Sequence, residues 1–237
     1  MDRAENQPES TISRQYVAGF CDVLDQHSDI VREGLRRFEL RVRGENVERV
    51  SLRRYCEFIE WLAVRLNRPH LGLELSQSGG PERMGTIGYL FMGSRTLEVA
   101  FRGFTHYISE IQNHSEMILK KEGELASYEY RMHDNRIVHR RQDNECSLGH
   151  CWRLMQLFSG NSIPLVLVEF EHDCPGGDNR PYERIFKAPV IFGQVSNRLH
   201  FRMDTLSQGS SFSDHHLAKI LEDQLEISVD RAIDVQS

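Results

Sequence analysis

Apolar residues at helical spacing predict that the first half of the chain is built from helices. The clearest stretch follows Ser51, whose side chain is suited to cap a helix, and the next follows Thr96, with Glu98 in its first turn. One weaker helical pattern begins at Ile12, and three more cover 30–38, 70–75 and 84–92. The two strong stripes are Leu52, Tyr55, Cys56, Ile59, Leu62, Ala63 and Leu66, then Leu97, Ala100, Phe101, Phe104, Tyr107, Ile108 and Ile111.

Beyond residue 112 the pattern alternates instead. Segments 116–121 and 124–132 flank Glu122-Gly123, a dipeptide suited to a two-residue hairpin turn. Alternate side chains of a strand share a face. We therefore expect a hairpin with one buried face, formed by Ala126, Tyr128, Tyr130 and Met132.

The remaining segments predict a helix, a strand, a second hairpin and a last helix. The helix begins at Asp143 or Asn144 and ends before Gly160, and 163–170 is apolar enough for a central strand. Segments 190–192 and 199–201, on either side of Gly193 and Asn197, predict the second hairpin. The last helix begins at Ser213 and is expected to bury Leu217, Ile220, Leu221 and Leu225.

This order of elements predicts an α+β fold, in which a helical N-terminal part is followed by a small antiparallel sheet with helices packed on one face. The helical part spans about 12–112 and the mixed part about 113–226. Together they form one predicted domain, 12–226. A disordered tail, 1–11, precedes it.

Composition narrows the possible classes of protein. The chain has 237 residues, 39% of them apolar, and no apolar run approaches the ~20 residues that span a bilayer. Five irregularly spaced cysteines suit a reducing compartment, so we expect a soluble, cytoplasmic protein with no membrane partner. The net charge of −6 is unlike that of a free-standing DNA-binding module, which usually carries a positive excess.

Candidate chemistry is sparse. The spacings within Cys146, His150, Cys151, His172 and Cys174 match no usual zinc arrangement, so no metal site is predicted. The glycines in 84–92 lack the lysine of a phosphate loop, and no G-x-S-x-G nucleophile motif is present. We therefore predict no catalytic residues, no cofactor and no enzyme activity.

Large apolar side chains are abundant on elements that should face one another. Most are explained by an ordinary core, but a pocket between sheet and helices with a few polar groups is typical of a small-molecule sensor. The sequence does not separate these alternatives. The predicted ligand-binding residues are Tyr89, Arg102, Phe104, His106, Tyr107, Tyr128, Tyr130, Trp152, Met155, Phe170 and Phe192.

Four sequence blocks, in order, resemble the N-terminal "arabinose-binding" sensor domain of AraC/XylS-type transcription regulators. The last has the family pattern Tyr–x–x–(Leu/Ile)–Phe–x–x–Pro–Val–x–Phe–Gly followed by Asn–x–Leu–x–Phe, over 182–201. The earlier ones are Pro-His-Leu-Gly-Leu-Glu-Leu at 69–75, Met-Gly-Thr-Ile-Gly-Tyr-Leu at 84–90 with Ser94, Thr96, Leu97 and Ala100, and Phe-Glu-His at 170–172. The resemblance spans roughly 12–226.

The resemblance implies that the domain senses a small organic effector, forms a homodimer and acts on DNA only through a C-terminal helix-turn-helix domain. Family members continue into about 100 residues that carry this domain, and the residues after Leu225 are too few to supply it. Of the two alternatives, a sequence cut at the domain boundary and a stand-alone relative, we expect the first, in which 12–226 is the effector-sensing and dimerisation domain and 227–237 begins an interdomain linker. The alternatives are a ligand-independent dimerisation module and, with less support, a small-molecule enzyme.

Overall fold

The computed structural model describes residues 9–43, 48–211 and 219–226. Ser51 and Thr96 cap α3 and α6 as predicted, by accepting hydrogen bonds from Arg54 N and Val99 N. Residues 219–226 add a further helical segment. The helices are α1 (Arg14–Val23), α2 (Ser28–Arg37), α3 (Leu52–Arg65), α4 (Leu71–Ser76), α5 (Gly85–Gly93), α6 (Leu97–Ile111), α7 (Arg141–Ser159) and α8 (Arg180–Phe186).

The strands form two sheets. In the larger one the order is β3-β4-β7-β5-β6, and its pairs are antiparallel except for the short parallel pair β5–β6. β1 and β2 form a separate antiparallel ribbon. The predicted α+β class is confirmed. The strands are β1 (Thr11–Ser13), β2 (Arg49–Ser51), β3 (Ser115–Glu122), β4 (Leu125–Met132), β5 (Leu165–Glu169), β6 (Val190–Ile191) and β7 (Asn197–Arg202).

The predicted hairpin between 190–192 and 199–201 is wrong, because β5 lies between β6 and β7. The segment around β6 instead runs beside the end of β5. Gly193 N donates to His172 O and Gln194 N to Phe170 O, both at 3.0 Å. The predicted faces of β7 are confirmed, since Leu199 and Phe201 are fully buried.

Several element boundaries differ from prediction. A short strand, β1, precedes α1, and the first hairpin turns at Gly123 and Glu124 because Glu122 pairs with Leu125. α7 begins at Arg141, which is held by the Glu145 carboxylate and by Pro69 O.

In the last predicted helix, Leu225 is buried but Ile220 is 46% exposed, contrary to expectation. Ile220 precedes Leu225 by one helical turn plus one residue. The two side chains therefore lie on different sides of the helical segment 219–226. The predicted start at Ser213 and the predicted burial of Leu217 lie outside the described residues.

α7 is the central helix, and it crosses α4 at very short distance. A Cβ on Gly72 would lie 2.0 Å from Gln142 O, and one on Gly149 would lie 2.0 Å from Ser76 Oγ. The Gln142 side chain locks the crossing by accepting from Gly72 N at 2.6 Å and donating to Pro69 O. The glycine in the block at 69–75 is therefore needed for helix packing.

Candidate functional site

A cleft of about 730 Å³ lies between α1, the 3₁₀ turn Pro81–Met84, the start of α5 and the end of α6. We call it the Tyr16 cleft. It is lined by Ser13, Gln15, Tyr16, Ala18, Gly19, Asp22, Val23, Gly79, Glu82, Arg83, Met84, Gly85, Thr86, Ile87, Glu110, Ile111 and Leu225.

The ribbon before α1 fixes the position of Tyr16. Ser13 caps α1 by accepting a hydrogen bond from Tyr16 N. Arg49 of β2 donates to Thr11 Oγ1 at 2.8 Å and to the carbonyls of Ser109 and Glu110 at the end of α6. A cation at the C-terminus of a helix also interacts favourably with its dipole. Arg49 therefore ties the two walls of the cleft together.

The Tyr16 hydroxyl reaches two polar groups of α7. It lies 3.1 Å from His150 Nδ1 and 3.7 Å from Cys146 Sγ. Burial, with a smaller contribution from the charge of Arg83, lowers the pKa of His150 to about 3, so the imidazole is neutral near pH 7. His150 Nε2 is buried and has no hydrogen-bond partner among the described residues. The histidine behind Tyr16 therefore has spare hydrogen-bonding capacity, although it does not itself line the cleft.

Arg83 brings a positive charge to the same wall. Its Nη1 donates to Gly19 O at 3.1 Å, whereas its Nη2 is buried and has no hydrogen-bond partner within the described chain. Buried polar groups are normally hydrogen-bonded, because an unpaired one loses its interactions with water and gains nothing in return. An unpaired guanidinium nitrogen beside a cleft is therefore a candidate contact for a ligand.

Behind Tyr16, Met84 and Ile111 lies a small void of about 20 Å³, enough for about one water molecule. Phe104, Ile108, Gln112, Met117, Tyr130, Ser147 and Cys151 complete its lining.

Asp143 lies at the polar end of this void. It accepts hydrogen bonds from Tyr130 Oη at 2.8 Å and from Gln112 Nε2 at 3.4 Å. Burial raises the pKa of the Asp143 carboxyl to about 6. The two neutral donors lower this pKa, but they do not outweigh the burial.

The predicted ligand-binding residues are not brought into one pocket. Phe104 and Tyr130 line the void, whereas Arg102, His106 and Tyr107 line a separate depression of about 600 Å³ beside 219–226. In that depression Arg102 is already paired with Glu98.

The other predicted residues are elsewhere. Tyr89 is 44% exposed on α5, Tyr128 is buried against Phe101 with ring centroids 4.0 Å apart, and Trp152 and Met155 are buried on α7. Their role as ligand contacts stays a prediction.

Phe170 and Phe192 belong to an aromatic cluster of Phe170, His172, Tyr182, Phe186 and Phe192, which we call the Tyr182 cluster. Phe170 lies 5.6 to 5.9 Å, centroid to centroid, from Tyr182, Phe186 and Phe192. Tyr182 Oη donates to Glu145 Oε1 at 2.7 Å, and the same oxygen accepts from Arg141. The segment 182–192 is therefore built around a packed core.

The five residues weighed as metal ligands are dispersed. Cys146 and His150, one helical turn apart, lie together beside Tyr16. Cys151 borders the void, His172 lies 3.5 Å from Glu145 in the Tyr182 cluster, and Cys174 directly precedes the 3₁₀ turn Pro175–Gly177. No group of three or more His, Cys, Asp or Glu side chains among the described residues could hold a metal ion.

Sequence reasoning missed the two side chains that matter most in the Tyr16 cleft. Tyr16 has the spacing of an ordinary core residue. Arg83 follows Pro81 and precedes Gly85, a context that indicates only a break in the chain. No local pattern in the sequence marks either residue as part of a cleft.

No helix in the described part of the chain is long and apolar enough to cross a membrane.

Comparison with known proteins agrees with the fold. The family model for the arabinose-binding domain of AraC transcription regulator, N-term, matches residues 32–209. No curated protein is significantly similar in sequence. The crystal structure of the transcriptional regulator CdpR from Pseudomonas aeruginosa superposes with a TM-score of 0.61 at 12% identity, over 82% of this chain and 60% of CdpR. The chain belongs to the family of AraC-type regulators with an N-terminal arabinose-binding domain.

Proposed function

We propose that this chain is the effector-sensing and dimerisation part of a cytoplasmic AraC-type transcription regulator, and that a small organic effector binds in the Tyr16 cleft. The observation that carries the proposal is the cleft itself, whose lining includes Arg83, a cation with a buried nitrogen, Nη2, that has no hydrogen-bond partner among the described residues. Pockets of 300–1,000 Å³ with a few placed polar groups are typical of small-molecule sites. Binding to DNA requires the helix-turn-helix domain of the full regulator.

Leu225 can connect effector binding in the cleft to the position of the DNA-binding domain. Its side chain is 5% exposed and lines the Tyr16 cleft, although it belongs to the helical segment 219–226, which follows the region matched by the family model. An effector that touches Leu225 changes the stability of this packing. It can then shift the population between two arrangements of sensor and DNA-binding domain, in proportion to its differential affinity for them.

A thermal-shift screen of small metabolites tests the proposal, because a compound that binds only the folded state raises its melting temperature. The chain offers a matched pair of variants. A Cβ on Gly19 would have no atom within 4 Å, so Gly19→Phe places a ring in the cleft and Gly19→Ala leaves it open. We expect stabilising compounds to act on the wild type and on Gly19→Ala, and to lose their effect on Gly19→Phe.

Two results would contradict the proposal. A broad library with no stabilising compound would favour a ligand-independent dimerisation module. A compound that stabilises Gly19→Phe as well as Gly19→Ala would place the effector outside the Tyr16 cleft. Sedimentation of the purified chain tests the dimer separately.

A further inference from the structure

The charges around the Tyr16 cleft are distributed unequally. Arg83 forms no ion pair with any described carboxylate, and its Nη2 is buried without a partner. It nevertheless lies close enough to His150, Cys146 and Tyr16 for its charge to act on their pKa values: burial and this charge together lower the pKa of His150, whereas burial raises the pKa of Cys146 and Tyr16 and the charge of Arg83 only opposes that rise. A guanidinium that is partly removed from water and unpaired is unfavourable until an acceptor arrives.

The acidic residues that line the same cleft are otherwise engaged. Asp22 lies 4.0 Å from Arg43, and Glu82 accepts from Gly80 N at 2.6 Å. Glu110 lies near Arg49: burial lowers the pKa of the Arg49 guanidinium, and the charge of Glu110 opposes that shift. Each of these acidic side chains thus has a hydrogen-bond donor or a cation beside it, and Arg83 has no acidic partner among them.

The rest of the lining suits a partly apolar molecule. Val23, Met84, Ile87, Ile111 and Leu225 all contribute side chains. Guanidinium groups bind carboxylates with matched planar geometry, and charge-assisted hydrogen bonds are about twice as strong as neutral ones.

We propose that the effector is a small organic acid with an apolar body, whose carboxylate binds the Arg83 guanidinium in the Tyr16 cleft. This inference rests on the proposed function, since it names the chemical class of the effector. Its prediction is specific: converting the carboxylate of an effector to a carboxamide should weaken binding about ten- to hundred-fold.

The experiment compares acid and amide pairs on the wild type, Arg83→Lys and Arg83→Met. The probes are the stabilising compounds from the screen together with benzoate and benzamide, phenylacetate and phenylacetamide, and hexanoate and hexanamide. We expect the stabilising compounds to be carboxylates and to lose most of their effect as amides. Compared with the wild type, they should bind Arg83→Lys more weakly and Arg83→Met at least ten-fold more weakly. Inorganic phosphate, as an anion without an apolar body, should not stabilise.

A second readout needs no ligand. Arg83 makes one hydrogen bond, to Gly19 O, and no ion pair with a described carboxylate, so replacing this partly buried cation by an apolar side chain should change the melting temperature of the ligand-free protein little. The matched control is Arg49→Met, which should lower it, because Arg49 binds several carbonyls. A clear drop for Arg83→Met would show that Arg83 is structural and would overturn the inference.

The failures are distinguishable. Stabilising compounds that are neutral or cationic, and that are still blocked by Gly19→Phe, would leave the proposed function standing and exclude a carboxylate effector. A carboxylate that stabilises Arg83→Met as strongly as the wild type would also exclude it. Phosphate alone stabilising the protein would indicate a general anion site. No stabilising compound at all would contradict both proposals.

Discussion

The Tyr16 cleft and the Tyr182 cluster lie against the same helix, α7, but differ in how completely their space is filled. In the Tyr182 cluster the rings pack against one another, and the Tyr182 hydroxyl donates to a buried carboxylate that also binds Arg141. Both regions contain buried atoms with no hydrogen-bond partner among the described residues, Glu145 Oε2 and His172 Nε2 in the cluster and Arg83 Nη2 beside the cleft, but Arg83 lines an open cleft of about 730 Å³.

This difference distinguishes a region that stabilises the fold from a region that can bind a ligand. A region that is filled by its own packed side chains has little room for a ligand, whereas an unpaired polar atom beside an open cleft can gain a hydrogen bond from one. Loss of a side chain should therefore change stability strongly in the Tyr182 cluster, and should change it weakly at the cleft.

The largest effect is expected for Phe170→Ala. Phe170 is fully buried, and removing its ring leaves a cavity against Tyr182, Phe186 and Phe192. The free energy of unfolding should fall by about 3–5 kcal/mol in chemical denaturation. Val195→Ala is the control, because Val195 is 89% exposed and its loss should change stability by less than about 0.5 kcal/mol. A loss below about 1 kcal/mol for Phe170→Ala would mean that the cluster is not a packed core.

Asp143→Asn should change how stability depends on pH. The pKa of Asp143 is about 6 in the folded protein against an ordinary value of 3.8, so between these pH values the folded state keeps a proton that the unfolded chain has lost. The unfolding free energy therefore falls as pH rises through this window, by roughly 3 kcal/mol in total. The amide that replaces the carboxyl in the variant cannot titrate.

The measurement is denaturation of both proteins from pH 4 to pH 7. The stability difference should shift by about that amount in favour of the variant as pH rises. The neutral His150 contributes an opposite slope, but it does so in both proteins and cancels in the difference. Parallel pH profiles would show that Asp143 is ionised throughout.

A pair of hydroxyl deletions compares the two regions directly. Tyr182→Phe removes a hydrogen bond to the buried Glu145 carboxylate and should cost about 2 kcal/mol. Tyr16→Phe removes a neutral contact with His150 and should cost about 1 kcal/mol. Equal losses in denaturation, or the reverse order, would remove the distinction between the regions.

The smallest expected effect is an increase in stability, for Gly19→Ala. Gly19 lies within α1, where a Cβ meets no neighbour, and alanine stabilises a helix interior by up to about 1 kcal/mol over glycine. Gly19→Ala should therefore raise the unfolding free energy slightly. A loss would show that the wall of the cleft is packed more tightly than its geometry indicates.

The sequence predicted the helices well, because their stripes are long and their caps, Ser51 and Thr96, are local signals. It failed for β6, which pairs with β5 rather than β7, because a two-residue strand has too few positions to specify its partner. It also left open whether the aromatic side chains form a pocket or an ordinary core, where the structure has a cleft, a void and a core cluster. Whether an aromatic side chain lines a cavity depends on how helices pack, and periodicity carries no information about that.

The Tyr16 cleft was outside the reach of the sequence for a related reason. Its key feature is that Arg83 Nη2 has no partner among the described residues, and only the arrangement of α1, α5 and α7 around the turn determines this. Even the four family blocks point mainly to packing, as Gly72 shows through its contact with Gln142.

The most direct test is a crystal structure of the chain with a compound that raises its melting temperature. The account predicts electron density for that compound between α1 and the turn Pro81–Met84, with an acidic oxygen within about 3 Å of Arg83 Nη2. Density in the depression beside Arg102 and Tyr107, with the Tyr16 cleft empty, would contradict it.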